Sequence, residues 1–398
     1  MRDKLAIIST GLRSRRVLVA HNVKRGHWGG MARMMETIHA ELETFGWTTE
    51  YFTADDMPVA GSDRFRRYTF PWYVRRHARA AFLRGEPYDV INIHEPAGAA
   101  IVFARSRLGW PGIVAMSHGL EQRYWELRLR KDPPSPDPAS WKTRLVFPIT
   151  SLWQSRLTLR RANHVLCMSE EDRTFLETRF AVDRGSITRV FPGAGSDFLN
   201  VAPRRSYDGP GKRLLFSGTW IARKGIRQIV EAFTALVARH PSIELAVLGA
   251  GIPESCVLAG FPETLRSRVS VLPPVLSHAD YAEIHLGYDI FLLPSFYEGT
   301  PATLIQAMGT GMPVVATATS GMKDIVDDGQ NGLLVTPGNA GEIVRSIELL
   351  IGDSSLRRRL GQQAFDDASR KFTWRAVAEL VNAAYSSLPA SRRNHSLS

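Results

Sequence analysis

A rhythm in the chain constrains the fold more than any single motif. Short apolar runs of strand length alternate with longer amphipathic stretches, and the series is played twice. RRVLVAHN (15–22) reads as a strand, and MARMMETIHAELETFGW (31–47) as the helix after it. In that helix Met31, Met34, Met35, Ile38, Leu42 and Phe45 fall on one face. YDVINIH (88–94), GIVAMSH (112–118) and HVLCMS (164–169) follow as buried-type strands, each ending in a polar turn. Strands alternating with helices imply parallel βαβ units covered on both faces. The rhythm breaks at NVAPRRSYDGPGKR (200–213), rich in Pro, Gly and charge, and this is the expected linker. It restarts with KRLLFSG (212–218), IELAVLGAG (243–251), VSVLPP (269–274), YDIFLLPS (288–295), MPVVAT (312–317) and NGLLV (331–335). The expected fold class is therefore α/β, with two tandem Rossmann-like domains over 1–203 and 204–371. FTWRAVAELVNAAY (372–385) is expected as a helix capped by Thr373, before a frayed tail to 398. DPPSPDPAS (132–140) is an irregular loop, because its prolines forbid a helix or central strand.

The bulk properties exclude several classes. A chain of 398 residues with 44% hydrophobic and 22% charged residues is globular. Cys167 and Cys256 stand too far apart for a metal motif, and a reducing compartment is expected. The opening MRDKLAIISTGLRSRR lacks a signal-peptide pattern, and no run reaches the roughly 20 apolar residues of a membrane span. VLGAGIPES places Glu254 where a dinucleotide fingerprint needs its third glycine, which argues against a dehydrogenase. There is no P-loop, nucleophile elbow or acidic metal cluster, so neither a metal nor another cofactor is expected. The formal charge of +11 is concentrated in the first half, which suits a phosphorylated substrate, an anionic membrane, or simply a solvated surface.

Four turns at strand ends carry the candidate chemistry. In YEGTPATLIQAM, Glu298 precedes a Gly299-Thr300-Pro301 turn, with Thr300 as the expected cap and Pro301 at the first helical position. The amides of Ala302 and Thr303 then face Glu298, an arrangement suited to sugar hydroxyls, unless Glu298 only ends a strand in solvent. In SGTWIARKGI, Arg223 and Lys224 open a helix and can hold a diphosphate, though such pairs are also common on surfaces. In HNVKRGHWGGMARM, Gly29 and Gly30 let backbone amides approach a ligand, or serve as a plain flexible turn; His27 lies beside them. His118 ends a strand in MSHGLEQ and can donate to a sugar or phosphate oxygen, and His94 in INIHEP is a weaker version of the same arrangement.

Taken in order, the Gly-Gly turn, SHG, CMSEEDRTFL, FPGAGSDFL, the R-K-G turn, LPSFYEGTPATLIQAM and SGMKDIVDDGQNGLLVTPG resemble the family 4 glycosyltransferases. The resemblance runs from about Arg16 to Tyr385. It implies the GT-B fold, two Rossmann-like domains facing across a cleft. The second binds a nucleoside-diphosphate sugar, the first supplies the acceptor side, and helix 372–385 crosses back. It further implies that Arg223 and Lys224 bind the diphosphate with Gly29 and Gly30 closing on it. Glu298, Gly299, Thr300, Pro301, Ala302 and Thr303 would meet the transferred sugar, with His118 opposite. Gln306 stands where the family commonly carries a second glutamate for the ribose, and Thr219 where it often has a first diphosphate arginine.

The resulting expectation is a retaining, metal-independent hexosyltransferase acting on an acceptor hydroxyl in cell-surface polysaccharide or glycolipid synthesis. Gln306 and Thr219 also motivate an alternative, a weak or inactive sugar-nucleotide-binding relative. A nucleic-acid partner is not expected, because no reading motif accompanies the basic charge. RFRRYTFPWYVRRHARAAF (64–82) and WKTRLVFPITSLWQSRLTLRR (141–161) interleave arginine with aromatics. They are expected to lie on an anionic membrane, at the inner face of the cell membrane in a cytoplasmic enzyme, or else to pack partly on the core. Nucleobase, sugar, acceptor and oligomeric state stay open.

Overall fold

The computed structural model describes residues 15–23, 30–58, 63–95, 97–104, 111–131, 135–275 and 277–388, excluding the side chains of 63–67 and 104. Six strands form the first sheet: β1 Arg15–Ala20, β2 Trp47–Phe52, β3 Val90–His94, β4 Gly112–Met116, β5 His164–Cys167 and β6 Ile187–Arg189. Six more form the second: β7 Arg213–Ser217, β8 Glu244–Leu248, β9 Val269–Leu272, β10 Ile290–Leu293, β11 Val314–Thr317 and β12 Leu333–Val335. The helices around the first sheet are α1 Gly30–Glu43, α2 Asp63–Leu83, α3 Ala99–Ala104, α4 Glu121–Leu129, α5 Trp141–Phe147, α6 Trp153–Arg161 and α7 Glu170–Phe180; α8 Ser196–Val201 follows them in the chain but packs on the second half. Around the second are α9 Ile226–Arg239, α10 Glu254–Leu258, α11 His278–Leu286, α12 Ala302–Gly309, α13 Ala340–Gly352 and α14 Ser354–Lys371. The last helix is α15 Trp374–Ser386.

Every pairing is parallel, and the orders are β2-β1-β3-β4-β5-β6 and β12-β11-β10-β7-β8-β9. In each, the chain leaves its first strand in one direction and later returns to that strand's other side. Such reversals leave a crevice at the carboxyl ends of the two strands involved, the usual place for a ligand in an open α/β sheet. Here these are β1 with β3, and β7 with β10.

The sequence reading ran the first helix through Trp47. The helix instead ends at Glu43, Gly46 takes a left-handed φ of 82°, and Trp47 starts β2. WTTEYF is rich in β-branched and aromatic residues, and its pairing along all of β1 overrides the helical register. Within the stretch 200–213, residues 205–212 carry no regular element, and they are pinned: Arg205 donates to the carbonyls of His285, Tyr288 and Thr310. Thr373 caps α15 through the Ala376 amide at 3.2 Å. α15 buries Val377, Ala378, Val381 and Tyr385 against α1 and the first sheet. The Tyr385 hydroxyl accepts from Asn92 at 2.6 Å and lies 3.0 Å from His39 Nε2, tying this last helix to the first sheet.

Candidate active site

Both crevices open onto one cavity of about 790 Å³. Asn22 and Val23 follow β1 on its wall, His94 and Glu95 lie at the end of β3, and His118 and Gly119 follow β4. Arg223, Tyr297, Glu298 and Gly299 face them from the second sheet.

The turn after β7 explains where its cations sit. Gly225 has φ 74°, and a Cβ there would overlap the Pro294 carbonyl, so glycine lets this turn press against the end of β10. The Phe296 amide donates to Arg223 O at 2.8 Å and fixes the contact. Lys224 Nζ thereby stands 2.7 Å and Arg223 Nη1 3.0 Å from Glu298 Oε1. Arg223 also donates to the Tyr297 carbonyl, and its guanidinium lies 5.7 Å from the centre of the Tyr124 ring of the first half. Burial alone would raise the Glu298 carboxyl, but Lys224 and Arg223 outweigh it and hold the group below its ordinary value. Glu298 is thus an anion held between two cations.

The Glu298–Gly299–Thr300 turn is built against the first half. A Cβ on Gly299 would overlap the His118 carbonyl, and one on Gly321 would overlap the Gly299 carbonyl. Thr300 does not cap the helix as expected. Its hydroxyl donates to the Met168 carbonyl across the join, and Pro301 is the N-cap, with Ala302 the first helical residue. The amides of Ala302 and Thr303 fall in the first turn of α12, where a helix has no acceptors of its own. The Thr303 hydroxyl is buried and has no partner among the described residues.

His118 packs face to face on His94, with ring centres 4.7 Å apart. Burial, with His21 adding to it, lowers His118 to about 3, so the ring is neutral. It therefore offers one N–H and one lone pair, and no charge. Glu95, unremarked in the sequence, takes the Glu121 amide at 2.9 Å, and burial pushes its carboxyl up to about 8. A second missed group joins the halves. Arg123 contacts both Glu171 and Asp172, Lys323 reaches Glu171 at 2.5 Å, and Tyr297 donates to Asp172 at 3.3 Å.

The remaining sites divide plainly. His118, Arg223, Glu298 and Gly299 line the cavity, with Lys224 paired to Glu298. Thr219, Thr300, Pro301, Ala302, Thr303 and Gln306 are not on that wall. Gln306 is half-buried rather than enclosed. Gly30 starts α1, and Arg33 in that first turn acts on His278 and Tyr281 of α11, which brings this helix end up to the second half. Gly29 and His27 lie outside the described residues. Among the described residues no group of three His, Cys, Asp or Glu side chains is placed to hold a metal ion, and no helix is long and apolar enough to cross a membrane.

A family model described as glycosyl transferases group 1 matches residues 204–367, and one described as Glycosyltransferase Family 4 matches 28–197. A D-inositol 3-phosphate glycosyltransferase from Corynebacterium kroppenstedtii is 28% identical over 56% of this chain and 53% of its own length. The chain thus spans about half the length of the first curated relatives it matches. An alpha-D-kanosaminyltransferase from Streptomyces kanamyceticus is 24% identical over 79% of this chain and 80% of its own. Among solved structures, sucrose-phosphate synthase from Thermosynechococcus elongatus superposes with a TM-score of 0.73 at 20% identity, covering 94% of this chain and 98% of that one. Anabaena HepE in complex with UDP and glucose gives 0.64 at 19% identity over 93% and 99%. At these identities the solved structures bear on the fold alone.

Proposed function

The chain belongs to the family 4 glycosyltransferases and has their GT-B fold, and from that premise we propose that it moves a hexosyl unit from a nucleoside-diphosphate sugar to a hydroxyl of a glycan or lipid-linked acceptor, with retention at the anomeric carbon. The observation that carries this reading is the Arg223–Lys224–Glu298 cluster at one switch point, facing His118 across the shared cavity. Names among the relatives point the same way: one is a capsular polysaccharide biosynthesis glycosyltransferase of Staphylococcus aureus.

In the proposed step the bond from the anomeric carbon to the diphosphate oxygen breaks, and its electron pair leaves with the diphosphate. The acceptor oxygen bonds to the same face of that carbon, and its proton passes to a diphosphate oxygen. The sugar is oxocarbenium-like in between, so the main demand is to stabilise the departing negative charge. Arg223 and Lys224 supply two fixed positive charges for that purpose, and the first-turn amides of α12 add a partial one. Glu298, an anion, accepts from sugar hydroxyls, and neutral His118 donates to the sugar from the opposite wall. The two cations stand in for a metal ion in this scheme, so chelator leaves the rate unchanged.

Purified protein incubated with UDP-, GDP- and ADP-sugars and candidate acceptors tests this directly. Transfer, or slow donor hydrolysis, with an anomerically retained product supports it. An inverted product removes the stereochemical claim. Nucleotide binding without turnover of any donor supports the inactive relative that Thr219 and Gln306 suggest.

A further inference from the structure

One face of the first half has an exterior at odds with its surroundings. α2 and α3 bury Phe70, Val74, Ala78, Ile101 and Val102 against Leu18, Ile91 and Ile113 of the sheet, and Leu157 of α6 packs on the same cluster. α3 touches both α2 and α6, while α1 and α15 cover the opposite side. The outer surfaces of α2, α3 and α6 therefore point the same way.

That layer and the adjoining α5 hold eight of the eleven large apolar residues exposed among the described residues. They include Trp72 on α2, Phe103 on α3, Trp141 and Leu145 on α5, and Ile149 and Trp153 after it; Phe103 and Ile149 are each 72% exposed. Single exposed apolar side chains are ordinary, but a cluster marks an interaction surface. The local backbone builds part of it. α5 and α6 are joined by a π-helical turn at Pro148–Leu152. A π turn holds more residues than an α turn, so steps of four from Trp141 through Leu145 and Ile149 to Trp153 remain on one side.

The same face is basic. Residues 141–161 hold Lys142, Arg144, Arg156, Arg160 and Arg161 and no acid. Lys142, Arg156 and Arg160, with Arg76 and Arg79 on α2, make no ion pair among the described residues. A second copy of the chain is a poor occupant, since a two-fold contact would set these like charges against one another. A surface that is both apolar at shallow depth and anionic is a better match. The patch also reaches the active-site cleft, because Phe147 of α5 and Arg128 of α4 line the cavity.

We propose that this face docks on an anionic lipid bilayer, with its tryptophans and aliphatic side chains in the headgroup layer and its cations on lipid phosphates. Docked in this way, the cleft opens beside the membrane, where a lipid-linked acceptor would present its hydroxyl; this last clause rests on the glycosyl-transfer reading.

The test is sedimentation of the full chain with vesicles of phosphatidylcholine alone or mixed with phosphatidylglycerol, at low salt and at about 0.5 M salt. The expected result is binding to the anionic vesicles only, with a blue shift of tryptophan fluorescence, weakened by salt. The double variant Trp141→Ser with Ile149→Glu changes only exposed side chains. It should keep its melting temperature and its turnover of a soluble acceptor while losing vesicle affinity about ten-fold or more, equivalent to about 1.4 kcal/mol. No binding, equal binding to both vesicle types, or a solution dimer that the variant dissolves would each overturn the docking surface. Vesicle binding by a protein that turns over no donor would leave the surface standing and sink the acceptor clause instead.

Discussion

Glu298 is the residue on which the site turns. A buried carboxylate is costly unless paired, and here two cations share one of its oxygens. Lys224→Ala is expected to lower kcat by about 10²–10³-fold, the range for loss of one preorganised charge-stabilising group. It should also lower the melting temperature, because Glu298 keeps only Arg223. Adding Glu298→Gln to Lys224→Ala should restore much of the stability and none of the rate, a split that a double-mutant cycle measures. Glu95 gives a pH signature of a different kind. Its carboxyl is raised from 4.5 to about 8, so the folded protein keeps a proton that the unfolded chain releases. The associated stability is complete below pH 4.5 and is lost as pH rises through 8. Glu95→Gln should therefore remove part of the decline in melting temperature between pH 6.5 and 8.5. Parallel curves for the variant and its parent would show that Glu95 is already ionised in the fold.

At the scale of elements, the loop carrying Glu298 owes its position to backbone packing between the halves. Gly321 touches the Gly299 carbonyl, and Gly299 touches that of His118, leaving no room for a side chain at either place. Gly321→Ala is expected to displace this loop, raising KM for the donor and lowering kcat together, while α9 and α13 remain folded by circular dichroism. Unchanged kinetics would mean that the contact is slack. The same elements show what the sequence made legible. The strand–turn–helix units around Arg223 and Glu298 could be read because apolar periodicity and Gly or Pro punctuation are local signals. Thr300 was misread as a cap because its partner, Met168, lies 132 residues away. β2 was missed because Trp47 and Tyr51 continue an apolar pattern that only pairing with β1 turns into a strand. Glu95 went unnoticed because what shifts it is burial, which no short motif reports.

For the whole molecule, the two halves are joined beside the cavity by contacts the sequence could not pair. Arg123, Asp172 and Tyr297 link α4, α7 and the β10 loop, and α15 runs from the second sheet to pack on the first. The resemblance to a known family implies a cleft, while the charges that face one another across it are set by tertiary packing that no local motif encodes. In the proposed reaction Arg223 and Lys224 neutralise a nucleotide's diphosphate in that cleft. Calorimetric titration of nucleoside diphosphates and monophosphates into the parent and the Arg223→Ala and Lys224→Ala variants tests it most directly. One diphosphate is expected to bind at least ten-fold more tightly than its monophosphate, with that preference lost in both variants. Equal affinity for the two nucleotides, or a preference that survives both substitutions, would contradict it.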